Sequence, residues 1–113
     1  MTIYLEDWAE GGEDQLIKDF WISKEDLIGV EIVYAYYLYH EYEGQAFVLF
    51  IKDNELFEVN GSHCSCYGLE GQWDPESTVI AAIRKRNFYH IDESQLSKTL
   101  GMLEERDNEQ LPR

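Results

Sequence analysis

The chain has 113 residues and a formal net charge of −14, with 44% apolar and 14% aromatic residues. A chain of this length forms one domain and buries about 65% of its unfolded surface in a single core. The apolar content excludes a disordered body, and no apolar run approaches the roughly 18 residues that a membrane span needs. No secretory signal pattern opens the chain. We therefore expect one cytoplasmic domain without membrane contact.

The negative charge is concentrated in the first half. Residues 1–60 carry fourteen acids and three bases, whereas residues 61–113 carry nine acids and six bases. An acidic half of this kind repels nucleic acid and attracts basic surfaces, including the grooves of proteins that hold nucleic acid. We expect a protein partner with a basic surface and no direct nucleic-acid contact. The alternative is that the acidity only keeps the protein soluble.

Residues 1–29 form an acidic N-terminal segment. Its run Ile3-Tyr4-Leu5 favours a short strand, and residues 10–14 have the composition of an acidic turn. Ser23 begins a run that resembles a capping box, which predicts a single helical turn ended by Gly29.

Residues 30–60 predict an antiparallel meander of three strands. The first strand, residues 30–40, is rich in Val, Ile and Tyr and apolar on both faces, so we expect it to be covered on both sides. Short turns at Glu43-Gly44 and Asp53-Asn54 lead to the next two strands. Strict alternation along the first strand predicts two faces: Ile32, Tyr34, Tyr36, Leu38 and His40 on one, and Glu31, Val33, Ala35, Tyr37 and Tyr39 on the other.

The remaining residues predict a loop and two helices. Residues 61–74 form a loop that contains both cysteines, and Asp74-Pro75 favours a helix start. Ser94 is a candidate cap for a second helix with leucines on its inner side. Residues 75–103 are then helical and residues 104–113 a flexible tail. The predicted fold is α+β: an antiparallel meander of three to four strands with helices packed mainly on one face.

Metal-binding chemistry is concentrated in the loop. His63, Cys64 and Cys66 offer nitrogen and sulfur ligands of the kind that zinc prefers, although their spacing is not Cys-x2-Cys. A fourth ligand would come from His40, His90 or an acid. A disulfide between cysteines two positions apart would be strained, which favours reduced thiols in a cytosol.

Two other interpretations of the loop remain open. In one, a cysteine is a thiol nucleophile, activated by His63 or by the start of a helix near Pro75. In the other, the loop is a rigid connector in which Ser62, His63 and Ser65 bond to backbone groups, while Tyr67 and Trp73 cover the end of the sheet.

Acids and aromatic residues of the first half are the candidates for partner contact. Acids steer a protein to a basic surface, and tyrosine and tryptophan make good anchors. For the tyrosines, packing in the core and at the sheet edge is the alternative. Trp8 and Trp21 are further anchors. The candidate partner-binding residues are Glu6, Asp7, Glu10, Glu13, Asp14, Asp19, Glu25, Asp26, Tyr37 and Tyr39.

Two stretches resemble small proteins of bacteriophages and prophages: GSHCSCYGLEGQWDPE at Gly61–Glu76 and YEGQAFVLF at Tyr42–Phe50. The resemblance covers residues 40–86 and carries no catalytic residue. Small acidic phage proteins often inhibit host nucleic-acid enzymes, restriction systems or CRISPR complexes, and some present carboxylates spaced like phosphates. The resemblance therefore implies a non-enzymatic inhibitor of a host defence or nucleic-acid-processing protein, acting in the host cytoplasm.

The alternative function is a small zinc- or ligand-binding domain centred on His63, Cys64 and Cys66. A third hypothesis is an accessory thiol enzyme that uses the same loop.

Overall fold

The computed structural model describes residues 2–64, 67–86 and 92–107. In these residues five strands form a mixed sheet in the order β1-β2-β3-β4-β5. The strands are β1 (Ile3–Glu6), β2 (Glu31–His40), β3 (Glu43–Lys52), β4 (Glu55–His63) and β5 (Glu76–Ser77). The helices are α1 (Gly12–Phe20), α2 (Ile80–Lys85) and α3 (Glu93–Asp107), with a 3-10 turn at Lys24–Leu27. None of the helices in this part of the chain is long and apolar enough to cross a membrane.

The predicted α+β class and the central meander are confirmed, but the sheet has five strands rather than three or four. The first strand, β1, lies parallel to β2, and the two-residue β5 lies antiparallel to β4. Both added strands are short and pair with segments that are distant in sequence. Their formation therefore depends on tertiary packing more than on local pattern.

Two hairpin turns connect the meander, and each has two residues with positive φ. One turn is Asp53-Asn54, as predicted, and the other is Glu41-Tyr42. This geometry matches the type I′ turn, whose twist suits antiparallel strands. The prediction of a turn at Glu43-Gly44 is wrong, because both of these residues already pair within β3.

The alternation along β2 is interrupted by a bulge between Ile32 and Tyr34. Because the bulge adds one residue, Val33 and Tyr34 both point to the same face of the sheet. Ile32 instead shares the opposite face with Ala35 and Tyr37. The prediction that grouped Ile32 with Tyr34 is therefore wrong.

Helices cover both faces of the sheet. On the front face, α1 contributes Leu16 and Phe20 to one core cluster. On the back face, α2 and α3 contribute Ile83, Leu96, Leu100 and Leu103 to a second cluster. Two of the three helices of the described residues thus pack on one face, as predicted. Helix α1 covers the other face and begins at Gly12, where the sequence indicated an acidic turn.

The helix boundaries in the second half also differ from the prediction. The first helix there, α2, begins at Ile80, and β5 occupies the position just after Asp74-Pro75. The cap of α3 is Asp92, whose Oδ1 accepts a hydrogen bond from the backbone N–H of Gln95 at 3.0 Å, so Ser94 is not the cap.

The predicted flexible tail is helical in part. Helix α3 continues to residue 107, so the first four residues of the predicted tail belong to it. Residues 108–113 lie outside the described residues. The inward leucines of α3 are confirmed: Leu96, Leu100 and Leu103 are all buried.

An ion pair joins the end of α2 to the sheet on the back face. Glu58 is 5% exposed, and its two carboxylate oxygens accept hydrogen bonds from both terminal nitrogens of Arg86. Asn60 donates a further bond to the same carboxylate at 2.7 Å. Burial alone would raise the pKa of the Glu58 carboxyl, but the bonds from Arg86, Asn60 and Thr78 outweigh it and hold that pKa below its usual value.

We expect Glu58→Gln to lower the free energy of unfolding by about 2 kcal/mol at pH 7, because a buried charge pair loses one partner. The folded-state pKa of Glu58 is lowered, so its stabilisation is complete above the unfolded-state value of about 4.5 and is lost as the pH falls through the folded-state pKa. Urea unfolding between about pH 7 and pH 3 should therefore show the two proteins converging in acid.

Glu104→Gln is the matched control, since it removes a carboxylate from Arg84 in an exposed pair. Exposed pairs contribute little to stability. Equal losses in the two variants, or a difference between Glu58→Gln and the parent that persists in acid, would contradict the prediction.

Candidate functional site

At the hairpin end of the front face, two aromatic rings stack across a glycine. Tyr39 on β2 and His63 on β4 each lie opposite Gly44 on β3. Their ring centroids are 4.0 Å apart. A Cβ atom at Gly44 would lie 3.0 Å from His63 Cβ and 3.2 Å from Tyr39 Cδ2. The two rings can meet only because the middle strand has no side chain at this position.

The same histidine is hydrogen-bonded to a buried tyrosine. The hydroxyl of Tyr37 contacts Nδ1 of His63, and the Tyr37 ring lies 5.1 Å from the Trp8 ring. Burial, and then the nearby carboxylates of Asp19 and Asp7, raise the pKa of the Tyr37 hydroxyl. The hydroxyl is therefore protonated at neutral pH, and its hydrogen bond with Nδ1 fixes the orientation of the His63 ring.

Two acids of the N-terminal segment fasten that segment to the sheet. Trp8 is fully buried, and its Nε1 donates to Asp19 Oδ2 at 2.8 Å. Asp7 Oδ2 accepts from the backbone N–H of Tyr39 at 2.8 Å, which continues the pairing of β2 beyond the end of β1. These carboxylates have structural partners.

The loop after β4 is held against the sheet by one amide side chain. Gln72 Oε1 accepts from the backbone N–H of Ser62 at 2.8 Å, and its Nε2 donates to the carbonyls of Ser62 and Gly68, each at 2.7 Å. Leu69 is buried above Gly61, where an added Cβ would lie 3.0 Å from Leu69 Cδ2. The described part of the loop, residues 67–74, is thus held against the sheet in the manner that the connector interpretation expects.

The contacts of this connector differ in detail from the prediction. Trp73 packs against Phe20 and Phe50, with centroids 5.1 and 5.8 Å apart, and so covers the sheet as expected. Tyr67 is 54% exposed and does not. Gln72 bonds to the backbone of Ser62 and Gly68, a role that the prediction assigned to the side chains of Ser62, His63 and Ser65. Ser65 lies outside the described residues.

The metal prediction is only partly visible in the described residues. Cys66 and His90 lie outside them, and within them no group of three or more His, Cys, Asp or Glu residues is placed to hold a metal. The zinc set of His63, Cys64 and Cys66 therefore stays a prediction.

The thiol-nucleophile interpretation loses one of its supports. It invoked a helix beginning near Pro75, whereas α2 begins at Ile80. Cys64 is half-buried, and its backbone N–H donates to the carbonyl of Tyr67 at 3.0 Å.

Three of the eight candidate acids have structural roles, and five are left for contact. Besides Asp7 and Asp19, Asp26 accepts a hydrogen bond from the backbone N–H of Ser23 at 2.9 Å and completes the predicted capping box. Asp14 lies 3.8 Å from Lys24 in a solvent-exposed pair. The acids that face solvent without capping or fastening the segment are Glu6, Glu10, Glu13, Asp14 and Glu25.

The aromatic candidates separate into buried and exposed residues. Tyr37 and Trp8 are buried in the front core, so the prediction that they anchor a partner is wrong. Tyr39 is 37% exposed and Trp21 is 82% exposed. Tyr42, which is 73% exposed, was not among the predicted contact residues, because Gly44 placed the predicted turn two residues too far along the chain.

Comparison of the chain with protein-family models, with curated proteins and with solved structures finds no significant match. The chemistry of the surface therefore carries the functional proposal. Two features of that surface are distinctive: an acidic N-terminal region with an exposed tryptophan, and an exposed tyrosine at a hairpin.

We expect Gly44→Ala to lower the free energy of unfolding by about 2 kcal/mol, because the new methyl group meets His63, Tyr39 and the Leu38 carbonyl at once. Near-ultraviolet circular dichroism should report loss of the aromatic stack. Gly101→Ala is the control, since nothing lies within 4 Å of its added Cβ and alanine favours a helix interior. Unchanged stability of Gly44→Ala would contradict the packing account.

Zinc content tests the metal prediction directly. Protein purified without a histidine tag should contain about one zinc per chain, and a chelator should lower its stability, if the loop holds the metal. Cys66→Ser should then abolish zinc retention. Less than about 0.2 zinc per chain, with stability unchanged in chelator, would contradict it.

Proposed function

We propose that the protein is a non-enzymatic inhibitor of phage type, which binds a basic surface of a host defence or nucleic-acid-processing protein. The targets that fit are restriction and CRISPR proteins, whose basic grooves hold nucleic acid. The observation that carries the proposal is the acidic lobe, residues 2–29, which combines five solvent-facing carboxylates with the exposed side chain of Trp21.

The position of Trp21 supports a role in contact. It ends α1 in the left-handed conformation, with φ 57° and ψ 49°, and its backbone N–H bonds to the carbonyls of Ile17 and Lys18. Glycine usually takes this position, because a side chain adds strain there. Tryptophan adds that strain and leaves its ring in solvent, which favours a partner, since tryptophan is enriched among residues that dominate binding energy.

The electrostatics of the acidic lobe favour a basic protein. The lobe contains eight acids and two lysines, so its field attracts arginine and lysine and repels phosphate. Its carboxylates pair with the same cationic side chains that bind nucleic-acid phosphates. Competition for those side chains is the proposed mode of inhibition.

The test is protection of phage in bacteria. The chain is co-expressed with a type I restriction system or with a CRISPR system that targets the phage, and the efficiency of plating is measured. We expect recovery of about tenfold or more with one of these systems. No recovery with either, at confirmed soluble expression of folded protein, would contradict the proposed function.

Two variants locate the activity on the acidic lobe. Trp21→Gly removes the ring while suiting the left-handed backbone, so it should lose protection without losing stability. The triple variant Glu10→Gln, Glu13→Gln, Asp14→Asn should also lose protection. The control neutralises three exposed acids of the second half: Asp74→Asn, Glu93→Gln and Glu105→Gln.

With the purified target, affinity should fall by about tenfold or more between roughly 50 and 500 mM salt. Equal loss of protection in the two triple variants, or an affinity that does not change with salt, would contradict contact through the acidic lobe.

A further inference from the structure

The turn between β2 and β3 carries strain that its hairpin does not require. Glu41 has φ 52° and Tyr42 has φ 68°, both in the left-handed region. Type I′ turns favour Asn-Gly or Asp-Gly at these positions, because other side chains are strained there. The second hairpin uses Asp53-Asn54, residue types that tolerate this conformation.

The strained turn presents a tyrosine to solvent. Tyr42 is 73% exposed and lies two residues before Gly44. The hairpin tip, which we define as residues 39–43, therefore has an aromatic side chain at the position where glycine would relieve most strain. Backbone strain of this kind is concentrated at functional sites of proteins, which favours a function for the tip.

A second aromatic ring of the tip is already held in place. Tyr39 is stacked on His63, so its ring is already ordered and loses little conformational freedom on binding. Tyr67 lies at the same end of the sheet, since its carbonyl accepts a hydrogen bond from the N–H of Cys64, the residue directly after β4. Its side chain is exposed.

The back side of the tip forms a groove of about 460 Å³. It places two carboxylates, from Glu41 and Glu43, next to the half-buried side chain of Leu38. An apolar floor with carboxylates at the rim suits a long cationic side chain, whose stem packs and whose head pairs. The lining residues are Leu38, His40, Glu41, Glu43, Gly44 and Gln45.

The charge around the tip selects a basic partner. Lysine and arginine are absent from the sequence of β1, the tip and the connector after β4, which lie within residues 1–17, 37–47 and 53–76. Besides the groove carboxylates, Asp7 lies on the Tyr39 backbone and Glu70 lies near His63. Guanidinium groups stack on tyrosine faces and pair with carboxylates more readily than ammonium groups do.

We propose that the hairpin tip is a second contact surface that takes an arginine side chain of the partner, with the guanidinium against Tyr42 and the carboxylates of Glu41 and Glu43. This inference rests on the proposed function for the partner's basic character. It adds a surface next to the acidic lobe, whose Asp7 bonds to the Tyr39 backbone, and names the residue that the added surface binds.

The probe is a peptide of about nine residues with three Arg-Gly-Gly repeats, and its counterpart has lysine in place of each arginine. Amide spectra of the ¹⁵N-labelled chain should shift saturably at Tyr39, Tyr42 and Glu43 on addition of the arginine peptide. The lysine peptide should bind at least about threefold more weakly. Equal affinities would overturn the assignment to arginine.

Tyr42→Gly separates strain from contact. It should raise the Tm by about 4 °C, because glycine relieves the strain of the left-handed backbone. It should also lower the affinity for the arginine peptide by about fivefold, because the tyrosine ring is lost. Asn54→Gly is the matched control at the other turn. It should not lower the Tm and should leave peptide affinity unchanged.

The outcomes distinguish the two proposals. Shifts confined to residues 13–27, or no saturable shift, would overturn the tip as a contact surface and leave the phage-protection experiment to decide the proposed function. Shifts at the tip together with no phage protection would overturn the proposed function and retain the tip as an arginine contact. A fall in Tm for Tyr42→Gly would contradict the claim that Tyr42 strains the turn.

Discussion

The packing of side chains over small residues on the front face is the constraint on which the rest of the structure depends. Gly61 leaves the space that Leu69 fills, and Gly44 leaves the space across which Tyr39 and His63 stack. Leu69 brings the connector down onto the sheet. The stack and the hydrogen bond with Tyr37 hold the histidine in a single orientation. The imidazole of His63 and the glycine at position 61 are therefore explained first by packing.

Side chains complete both edges of the meander where the short outer strands end. Asp7 accepts from the Tyr39 backbone at one edge, and Gln72 bonds to both backbone groups of Ser62 at the other. Unpaired strand edges invite pairing with other chains, and these contacts occupy backbone groups of β2 and β4 beyond the reach of β1 and β5. The outer strands β1 and β5 themselves end the sheet of the described residues.

The elements that the sequence predicts well are those with a strong local pattern. The meander, the leucine face of α3 and the capping box at Ser23 all depend on spacing within a few residues. The short strand predicted at Ile3–Leu5 is also present, as β1. Its parallel pairing with β2, the bulge at Val33 and the strand β5 depend on distant partners, which local spacing does not reveal. At the site, the turn was predicted at the wrong position because the sequence does not distinguish a glycine that leaves space for its neighbours, such as Gly44, from a glycine that forms a turn. The burial of Tyr37 follows from the position of Trp8, which only the folded chain specifies.

The use of positive φ links the two proposed contact surfaces. Gly12, Gly29 and Gly71 take this conformation with no side chain to strain. At Trp21 and Tyr42 the chain adopts it with large rings that remain mostly in solvent. Folding alone favours glycine at both positions, because exposed rings return little packing energy for the backbone strain they impose. In the proposed function, a basic partner that covers both rings would offset this loss of stability.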